Sequence, residues 1–390
     1  MAGEPGTSKA VPRGLFVSDV DPTFSGSGSG QRTVLLHEAF RARAELHTLV
    51  FDDRIDFEQA GISGQHGPLH FSQKKYGWLP APVRKLYRGV RHCAPDSAQR
   101  DALRKCIQEI KPSFLVIRYC YQAMRLAPLD LAGVPIILDI DDRPSSKAQE
   151  WSRDRYSNPL LRQVMKRRSK TLRRVEEAVV RGCAAVLVAN HAEIDENTIY
   201  FPNIPFEPPA ELPAWQNRDA LVLVGNFRYT PNRSGLEWFL ERVWPRVRDL
   251  APSASLLIAG AGSERYTRHE GVRGLGFVDR LEDIYAQASA AIVPVRFGGG
   301  SNIKLVEALS YGVPVVATER CATAFGPDVA TLSLCSITDD EESFAAACVH
   351  WLQGAEKEPQ GRAEAVASLQ DSHSRRALAA IAAQVIDRVI

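Results

Sequence analysis

Three consecutive glycines separate an apolar run from a helix-like segment in residues 294–307, which read PVRFGGGSNIKLVE. A strand, a glycine turn and a helix start direct backbone N–H groups and the positive end of the helix dipole to one place, where a phosphate binds well. Lys304 adds a positive charge one turn into the predicted helix, and the Glu307 carboxylate can accept hydrogen bonds from sugar hydroxyls. A helix cap without a ligand is the alternative, but three glycines exceed what a cap needs. The segment therefore predicts a site for a ligand that carries both phosphate and sugar.

Two common nucleotide-binding fingerprints are incomplete in this sequence. Ser25–Thr33 (SGSGSGQRT) is a glycine loop after the first predicted strand, but it ends in Gln-Arg-Thr where a P-loop needs Gly-Lys and then Ser or Thr. Leu257–Arg265 (LIAGAGSER) has Gly260 and Gly262, but Arg265 replaces the third glycine of a dinucleotide-binding turn. The sequence therefore disfavours an ATPase and an NAD-dependent enzyme. For the first loop, a Gly/Ser turn without a ligand stays open.

Carboxylates follow a predicted central strand in LDIDDRP, residues 138–144. Asp139 and Asp141 have the spacing of a metal-binding DxD pair, but that motif is short and weak, and we predict no metal site. Carboxylates at the carboxyl edge of a parallel strand can equally line a substrate cleft. Arg118 ends another predicted strand at the same edge, although a surface ion pair would also explain it. Arg118, Asp141 and Asp142 are therefore candidates for contact with a second substrate.

Apolar strand-like runs alternate with amphipathic helical ones, which is typical of parallel sheets covered by helices. The predicted strands are Gly14–Asp19, Glu45–Phe51, Phe114–Arg118, Val134–Ile140, Ala184–Ala189, Ala220–Gly225, Ser255–Ala259, Gly271–Phe277, Ala290–Val295 and Pro314–Ala317. The clearest predicted helices are Thr33–Ala44, Ser97–Ile110 and one that begins after Ser234 as its N-cap and is bent at Pro245. This pattern predicts an α/β fold.

A proline-rich stretch, Phe201–Trp215, interrupts the alternation and marks a domain boundary. We therefore predict an N-terminal Rossmann-like domain over residues 13–210 and a C-terminal one over residues 216–374. Residues 1–12 are small and polar, and we interpret them as a disordered leader. Residues 375–390 predict a helix with one apolar face, which could cross back to the N-terminal domain.

Composition limits the class of protein. The chain of 390 residues is 45% hydrophobic and 24% charged, which is ordinary for a globular protein of two domains. It has seven scattered cysteines without a CxxC pair, no apolar run long enough to span a membrane, and no secretory signal. We therefore predict a cytoplasmic protein without a zinc site or a disulfide framework.

Positive charge is concentrated in the N-terminal half. Residues 1–210 carry 30 Lys or Arg and 24 Asp or Glu, a net charge of +6. Lys74–His92 combines basic residues with aromatic ones, and Arg162–Arg174 is basic without an acidic residue. Such segments favour an anionic membrane surface, so the protein could be peripheral at the inner face of the membrane. A solvated helix face is the alternative, and no nucleic-acid motif accompanies these segments.

Four segments of the C-terminal half resemble the donor domain of family 4 glycosyltransferases. They are Leu223–Leu240, Leu257–Gly262, Leu275–Pro294 and Gly298–Ala317. The last is similar to the GGGS-x-x-K-x-x-E loop of bacterial polysaccharide sugar transferases. The resemblance is strong over residues 220–330 and weak in the N-terminal half. It implies a GT-B fold, in which two Rossmann-like domains face each other across a cleft, and transfer with retention of the anomeric configuration.

The resemblance also implies roles for individual residues. It assigns the nucleotide ribose to Glu307, the base to the backbone of Gly276, Phe277 and Val278, the diphosphate to Gly299, Gly300, Ser301 and Asn302, and further donor contacts to Gly28 and Asn226. The diphosphate would also meet Arg228, Asn232 or Arg233, a choice that the longer spacing here leaves open. Catalytic roles fall to Lys304 and Arg228, which would stabilise the leaving diphosphate, and to Asp141 beside the acceptor. Many family members have a second Glu eight positions before the ribose-binding one, where this chain has Gly299.

These observations predict a retaining glycosyltransferase that needs no cofactor. Its partners would be a nucleotide-sugar donor, a glycan or lipid-linked acceptor and an anionic membrane surface. Bacterial surface polysaccharide or glycoconjugate synthesis is the implied setting. A nucleotide-sugar 2-epimerase of the same fold and a non-catalytic nucleotide-sugar-binding protein are the alternatives.

Overall fold

The computed structural model describes residues 11–25, 28–51, 69–70, 96–129, 131, 133–141, 143–153, 159–215, 220–298, 300–354 and 357–390. These residues form two α/β domains, each built on a parallel sheet with apolar cores on both faces. The predicted fold class is confirmed. Of the predicted leader, only Val11 and Pro12 belong to the described residues.

Seven strands form the sheet of the N-terminal domain: β1 (Arg13–Ser18), β2 (Glu45–Val50), β3 (Leu69–His70), β4 (Phe114–Arg118), β5 (Ile136–Asp141), β6 (Ala185–Val188) and β7 (Ile199–Tyr200). Their order across the sheet is β3-β2-β1-β4-β5-β6-β7, and all pairs are parallel. The strand order therefore reverses between β1 and β4. Loops that leave such neighbouring strands in opposite directions open a crevice at their carboxyl ends, where ligands of α/β proteins bind.

The helices of this domain are α1 (Gly28–Arg41), α2 (Ser97–Ile110), α3 (Cys120–Leu126), α4 (Pro144–Arg153) and α5 (Pro159–Val180). Helix α2 starts as its sequence suggests, because the Asp96 carboxylate accepts hydrogen bonds from the N–H groups of Ala98 and Gln99. Helix α1 begins at Gly28, before the start predicted at Thr33. The end of the glycine loop is thus the first turn of a helix, which places its side chains against the β1–β4 crevice.

Six strands form the sheet of the C-terminal domain: β8 (Ala220–Val224), β9 (Ser255–Ala259), β10 (Val272–Gly276), β11 (Ala288–Val293), β12 (Val315–Ala317) and β13 (Cys335–Ile337). Their order is β10-β9-β8-β11-β12-β13, again wholly parallel. The order reverses between β8 and β11. The second crevice therefore lies at the carboxyl ends of those two strands, where the loops at Asn226 and at the three glycines begin.

The helices of the C-terminal half are α6 (Thr230–Trp238), α7 (Trp244–Leu250), α8 (Leu281–Tyr285), α9 (Lys304–Ser310), α10 (Glu319–Ala322), α11 (Pro327–Ala330), α12 (Glu341–Gln353), α13 (Arg362–Ser372) and α14 (Arg375–Val389). The predicted N-cap at Ser234 is wrong, since α6 begins four residues earlier with Pro231 in its first turn. A π-helical turn, Phe239–Val243, joins α6 to α7 just before Pro245, which lacks the N–H that a regular helix would use there.

The C-terminal helix α14 packs in the N-terminal domain. Its apolar face, with Leu378, Ala382 and Val385, joins the cluster that contains Phe16 and Phe40 beneath the first sheet. Ser374 caps the helix by accepting a hydrogen bond from the N–H of Ala377. The chain therefore crosses between the domains twice, once after β7 and once before α14.

Candidate functional site

The three-glycine loop follows β11 and has an unusual backbone. Gly298 and Gly300 have φ angles of 110° and 96°, and Asn302 has a φ of 44°. A Cβ atom at Gly298 would lie 2.5 Å from Cγ of Pro231, so a larger residue does not fit there. Because the backbone of Asn302 is left-handed, helix α9 begins only at Lys304, whereas we predicted that Lys304 lies one turn into the helix. Ser301 and Asn302 therefore belong to the loop, and Lys304 is the first helical residue.

Asn302 carries a buried donor that is not satisfied. Within the described part of the chain, its Nδ2 atom is buried and has no hydrogen-bond partner. Buried polar atoms almost always have partners, so this amide is a donor that a group bound in the cleft could use. Asn302 lines the cleft between the domains together with Gly300, Ser301 and Lys304. These residues form a surface of N–H groups, a hydroxyl and an ammonium that matches an anion.

Lys304 is held in place by a neutral amide. Its Nζ donates to Oδ1 of Asn232 at 3.0 Å, and Nδ2 of Asn232 donates to the carbonyl oxygen of Asn226 at 2.9 Å. Burial lowers the pKa of Lys304 below its ordinary value, although the nearby Cys321 and Glu307 act in the opposite direction. Burial disfavours the ammonium, and among the described residues its bonded partner is an amide and not a carboxylate, so an anion beside Lys304 would stabilise it.

Of the three residues left open for the diphosphate, only Asn232 lines the cleft. Arg228 is exposed at the loop after β8, with its side chain near Gly262, and its N–H donates to Oδ1 of Asn226. Arg233 turns along α6 and forms an ion pair with Glu237 at 3.9 Å. The structure therefore brings Asn232 to Lys304, whereas Arg228 and Arg233 do not line the cleft.

Glu307 lies one turn beyond Lys304 on α9, below the residues that line the cleft. Oη of Tyr285 donates to its Oε2 at 3.1 Å. Burial raises the pKa of Glu307, against the hydrogen bond from Tyr285 and the charge of Lys304, which both lower it. Tyr285 is thus a partner of the proposed ribose-binding carboxylate that sequence reasoning did not identify.

The predicted base-recognition segment ends strand β10. Gly276 has a φ of 70°, and its N–H donates to Oγ of Ser263 at 2.8 Å. Phe277 follows with 78% of its side chain exposed, and Val278 is half-buried. An aromatic ring this exposed at the edge of a crevice is available to a ligand, but these residues do not line the cleft beside Lys304. Base recognition remains a prediction.

On the N-terminal side of the cleft, two arginines and two aspartates form a compact cluster. Arg118 donates to Asp139 at 2.7 Å and to Asp141 at 2.9 Å. Arg32 from α1 pairs with Asp139 at 2.6 Å and with Asp141 at 3.5 Å. Burial would raise the pKa of Asp141, but the two guanidinium groups and hydrogen bonds from Arg118 and Asn203 hold it below its ordinary value. Asp141 is therefore ionised and fixed in orientation.

The structure changes the role expected of Arg118. Its side chain is 0% exposed, so the guanidinium does not reach the cleft surface where an acceptor would bind. Its two aspartate partners make it part of the framework beneath the cleft rather than a contact residue. Asp141 lines the cleft and remains the candidate for acceptor contact. Asp142, the other candidate, lies outside the described residues.

Backbone strain is concentrated around this cleft. Among the described residues, four non-glycine residues have positive φ, and three of them, Tyr119, Asp141 and Asn302, line the cleft. The fourth, Lys111, ends helix α2. Strained residues persist where the surrounding structure determines them, and they are common at functional sites. Their joint position supports a single site shared by the two domains.

The two crevices face each other and form one cleft of about 440 Å³, a size suited to a small ligand. Gly28, Arg32, Tyr119 and Asp141 line it from the N-terminal domain. Asn232, Gly300, Ser301, Asn302 and Lys304 line it from the C-terminal domain. Asn203, from the segment that connects the domains, lies between them.

Sequence reasoning missed Arg32, Tyr119 and Asn203. Arg32 appeared only as a mismatch to a P-loop, and Asn203 only as part of a proline-rich boundary. Tyr119 directly follows the candidate Arg118, so its place after a strand at the crevice was the available signal. Gly299 and the basic aromatic segment Lys74–His92 lie outside the described residues.

Two parallel-sheet domains that face each other across a shared cleft define the GT-B fold, and the comparisons confirm it. Residues 218–354 match the family model of glycosyl transferases group 1. The sucrose-phosphate synthase of Thermosynechococcus elongatus is similar in structure, with a TM-score of 0.66 and 16% sequence identity over 97% of this chain and 99% of that chain.

Two further solved structures have the same architecture. The trehalose-phosphate synthase of Burkholderia xenovorans, solved with glucose-6-phosphate, has a TM-score of 0.61 at 12% identity over 97% of this chain and 99% of that one. WaaG, a glycosyltransferase involved in lipopolysaccharide biosynthesis, has a TM-score of 0.59 at 14% identity over 96% and 99%. No curated protein sequence matches the chain. At these identities the likeness establishes the fold.

Proposed function

We propose that this protein is a retaining glycosyltransferase that moves a sugar from a nucleotide-sugar donor to a glycan or lipid-linked acceptor. The observation that carries the proposal is the pairing of two unlike surfaces across one cleft. The C-terminal side offers the unsatisfied amide of Asn302, the hydroxyl of Ser301 and the ammonium of Lys304, and the N-terminal side offers the carboxylate of Asp141. The match of residues 218–354 to glycosyl transferases group 1 adds support.

The donor diphosphate would lie against the glycine loop. Ser301 and Asn302 would donate hydrogen bonds to its oxygens, and Lys304 would lie beside the phosphate that becomes the leaving group. Negative charge grows on that phosphate as the glycosidic bond breaks, so prearranged donors and a cation lower the barrier. Nucleoside and ribose would extend toward Glu307 and the Gly276–Val278 segment.

The acceptor would approach from the N-terminal side, where Asp141 and Tyr119 line the cleft. Asp141 would orient the acceptor hydroxyl, since its own position is fixed by Arg118 and Arg32. In a retaining transfer the hydroxyl attacks from the face that the leaving group occupies, and the departing phosphate takes its proton. Closure of the domains would exclude water, which otherwise competes as an acceptor.

The test is a screen of nucleotide-sugars for binding by ligand-detected NMR, followed by reaction with glycan and lipid-linked acceptors. We expect nucleoside diphosphate to be released only when an acceptor is present, and the product to keep the anomeric configuration of the donor. Conversion of the donor into an epimer without an acceptor would favour the 2-epimerase. Tight donor binding with no turnover on any acceptor would favour a binding protein.

We also propose that the N-terminal domain associates peripherally with anionic membranes through helix α5. Arg162, Lys166 and Lys170 are exposed there, and the helix also exposes Leu160 and Val164, with 70% and 50% of their surface accessible. Exposed basic and apolar side chains on one helix suit the headgroup region of an anionic bilayer. Among the described helices, none is long and apolar enough to span a bilayer. Attachment of this kind would bring the cleft to a lipid-linked acceptor, as in surface polysaccharide or glycoconjugate synthesis.

Liposome sedimentation tests this proposal. The protein should pellet with anionic liposomes at low salt and be released at high salt. Replacing Arg162, Lys166 and Lys170 with Ser should weaken that binding while donor affinity is unchanged. A matched control removes three exposed charges from the C-terminal domain: Arg242→Ser, Arg268→Ser and Lys357→Ser. If both triple variants bind equally well, or the wild type ignores anionic liposomes at low salt, helix α5 is a solvated surface.

A further inference from the structure

Asn203 joins the two sides of the cleft through its side-chain amide. It lies in the segment that connects the domains after β7. Its Oδ1 accepts a hydrogen bond from Nη1 of Arg32 at 2.8 Å, and its Nδ2 donates to Oγ of Ser301 at 2.6 Å. One side chain thus contacts the ion-pair cluster of the N-terminal domain and the glycine loop of the C-terminal domain.

These two bonds determine the orientation of the amide. A guanidinium can only donate, so the atom of Asn203 that faces Arg32 must be the oxygen, and the NH₂ group must face Ser301. Ser301 then accepts at its oxygen. A serine hydroxyl has one proton, and a hydroxyl whose oxygen accepts from Asn203 keeps that proton free for another acceptor. Ser301 lines the cleft, so the proton is available to a ligand there.

Arg32 in turn is held firmly. It is 3% exposed, donates to the carbonyl oxygen of Phe201 at 3.1 Å, and pairs with Asp139 at 2.6 Å. Asn203 also lines the cleft together with Asp141 and is among the causes that lower the pKa of that carboxyl. The amide is therefore positioned by the buried acceptor-side cluster and has little freedom to rotate.

We propose that Asn203 is a positioning residue that makes the Ser301 hydroxyl a hydrogen-bond donor to the diphosphate of the bound nucleotide. The proposal rests on the glycosyltransferase function proposed above. In this arrangement a side chain held by the N-terminal domain determines that Ser301, in the C-terminal domain, donates its proton to the diphosphate. A diphosphate that binds Ser301 also strengthens the contact through Asn203 to Arg32, so donor binding favours the domain arrangement in which Asp141 is in place.

The test is a double-mutant cycle on nucleoside diphosphate affinity. UDP, GDP, ADP and CDP are titrated by calorimetry, and the tightest binder is used for all variants. We expect Asn203→Ala and Ser301→Ala each to weaken its affinity about tenfold, the size of one lost hydrogen bond to a charged group. The double variant should bind no more weakly than Ser301→Ala alone, because Asn203 acts through that hydroxyl.

A second variant covers the case in which Asn203→Ala does not fold. Asn203→Asp keeps the shape and the bond to Arg32, but its carboxylate would accept the Ser301 proton, so affinity should fall by at least as much. Asn197→Asp makes the same chemical change at an exposed position of the same domain and should bind like the wild type. Melting temperatures accompany every titration, since a merely structural role would lower them without coupling to Ser301.

The outcomes separate the two proposals. Equal affinity of wild type and both Asn203 variants, or full additivity with Ser301→Ala, overturns the positioning role alone. A wild type that binds none of the four nucleoside diphosphates overturns the proposed function and this inference with it. Loss of affinity that disappears in the Ser301→Ala background supports both.

Discussion

The N-terminal and C-terminal sides of the cleft, its two walls, differ in how their charged groups are paired. On the N-terminal wall, Arg32, Arg118, Asp139 and Asp141 pair with one another in a largely buried cluster. On the C-terminal wall, Lys304 has only a neutral amide as its bonded partner in the described structure, and Asn302 keeps an unsatisfied buried donor. One wall has its charges paired within the protein, and the other presents an ammonium and an amide donor to the cleft.

This contrast predicts that the N-terminal wall mainly stabilises the fold and that the C-terminal wall mainly serves binding and turnover. Removing one member of a satisfied buried cluster leaves a charge without a partner, so stability should suffer first. Removing Lys304 from the other wall breaks no ion pair in the described structure, so binding and turnover should suffer while stability is kept. The predictions below test that division, from the largest expected effect to the smallest.

Arg118→Met should lower the free energy of unfolding by about 3–5 kcal/mol, because it leaves Asp139 and Asp141 without one of their two cations. Chemical denaturation with circular dichroism measures this. Arg104→Met is the matched control, since Arg104 pairs with Asp101 on the surface and should contribute about 1 kcal/mol or less. A loss of similar size in both variants would contradict the idea of a buried framework.

Lys304→Met should leave stability nearly unchanged and lower kcat at saturating donor by about 10²-fold or more, since it removes the cation beside the leaving phosphate. Lys105→Met, at an exposed position of helix α2, is the control for loss of a lysine. Steady-state kinetics with both substrates provides the measurement. Near-normal kcat in the Lys304 variant would remove this residue from the chemistry.

The architecture was predictable because its signals are local. Buried strands of parallel sheets are continuous apolar runs, and Phe114–Arg118 or Ser255–Ala259 could be bounded to the residue. Errors arose where local signals compete. Ser234 looks like a helix cap, but Pro231 starts the helix earlier, and the glycines before Thr33 suggest a turn although Gly28 begins α1.

The site was predictable on one wall and much less so on the other. Glycines followed by Ser301 and Lys304 form a contiguous signal. The acceptor-side cluster is assembled from α1, β4 and β5, which are distant in sequence, so neither the pairing of Arg32 with Asp139 nor the bridge through Asn203 follows from any local pattern. The burial of Arg118 likewise depends on packing that spacing does not encode.

Replacing Glu307 tests whether the donor site on the C-terminal wall extends as far as this carboxylate. Glu307→Ala should weaken donor binding by about 1–3 kcal/mol, the cost of lost hydrogen bonds to a charged group. Because burial raises the pKa of Glu307, donor affinity of the wild type should fall as pH falls through that raised value, where the carboxylate takes up a proton. Glu307→Gln cannot titrate and should show a flatter pH profile. Calorimetry across pH measures both effects, and identical profiles would exclude Glu307 from the site.

The smallest expected effect is that of a chelator, and it bears on both walls at once. Asp139 and Asp141 have the spacing of a metal-binding pair, but both are already bonded to guanidinium groups, and Asp139 is 0% exposed. A divalent cation there would have to displace Arg118 or Arg32. On the other wall, Lys304 and the donors of the glycine loop would stabilise the negative charge of the leaving diphosphate in the proposed reaction. Activity should therefore survive EDTA with little change. Complete loss on chelation, restored by Mn²⁺ or Mg²⁺, would mean that the aspartates exchange their arginines for a metal during turnover, and the charges of the N-terminal wall would then not stay paired within the protein.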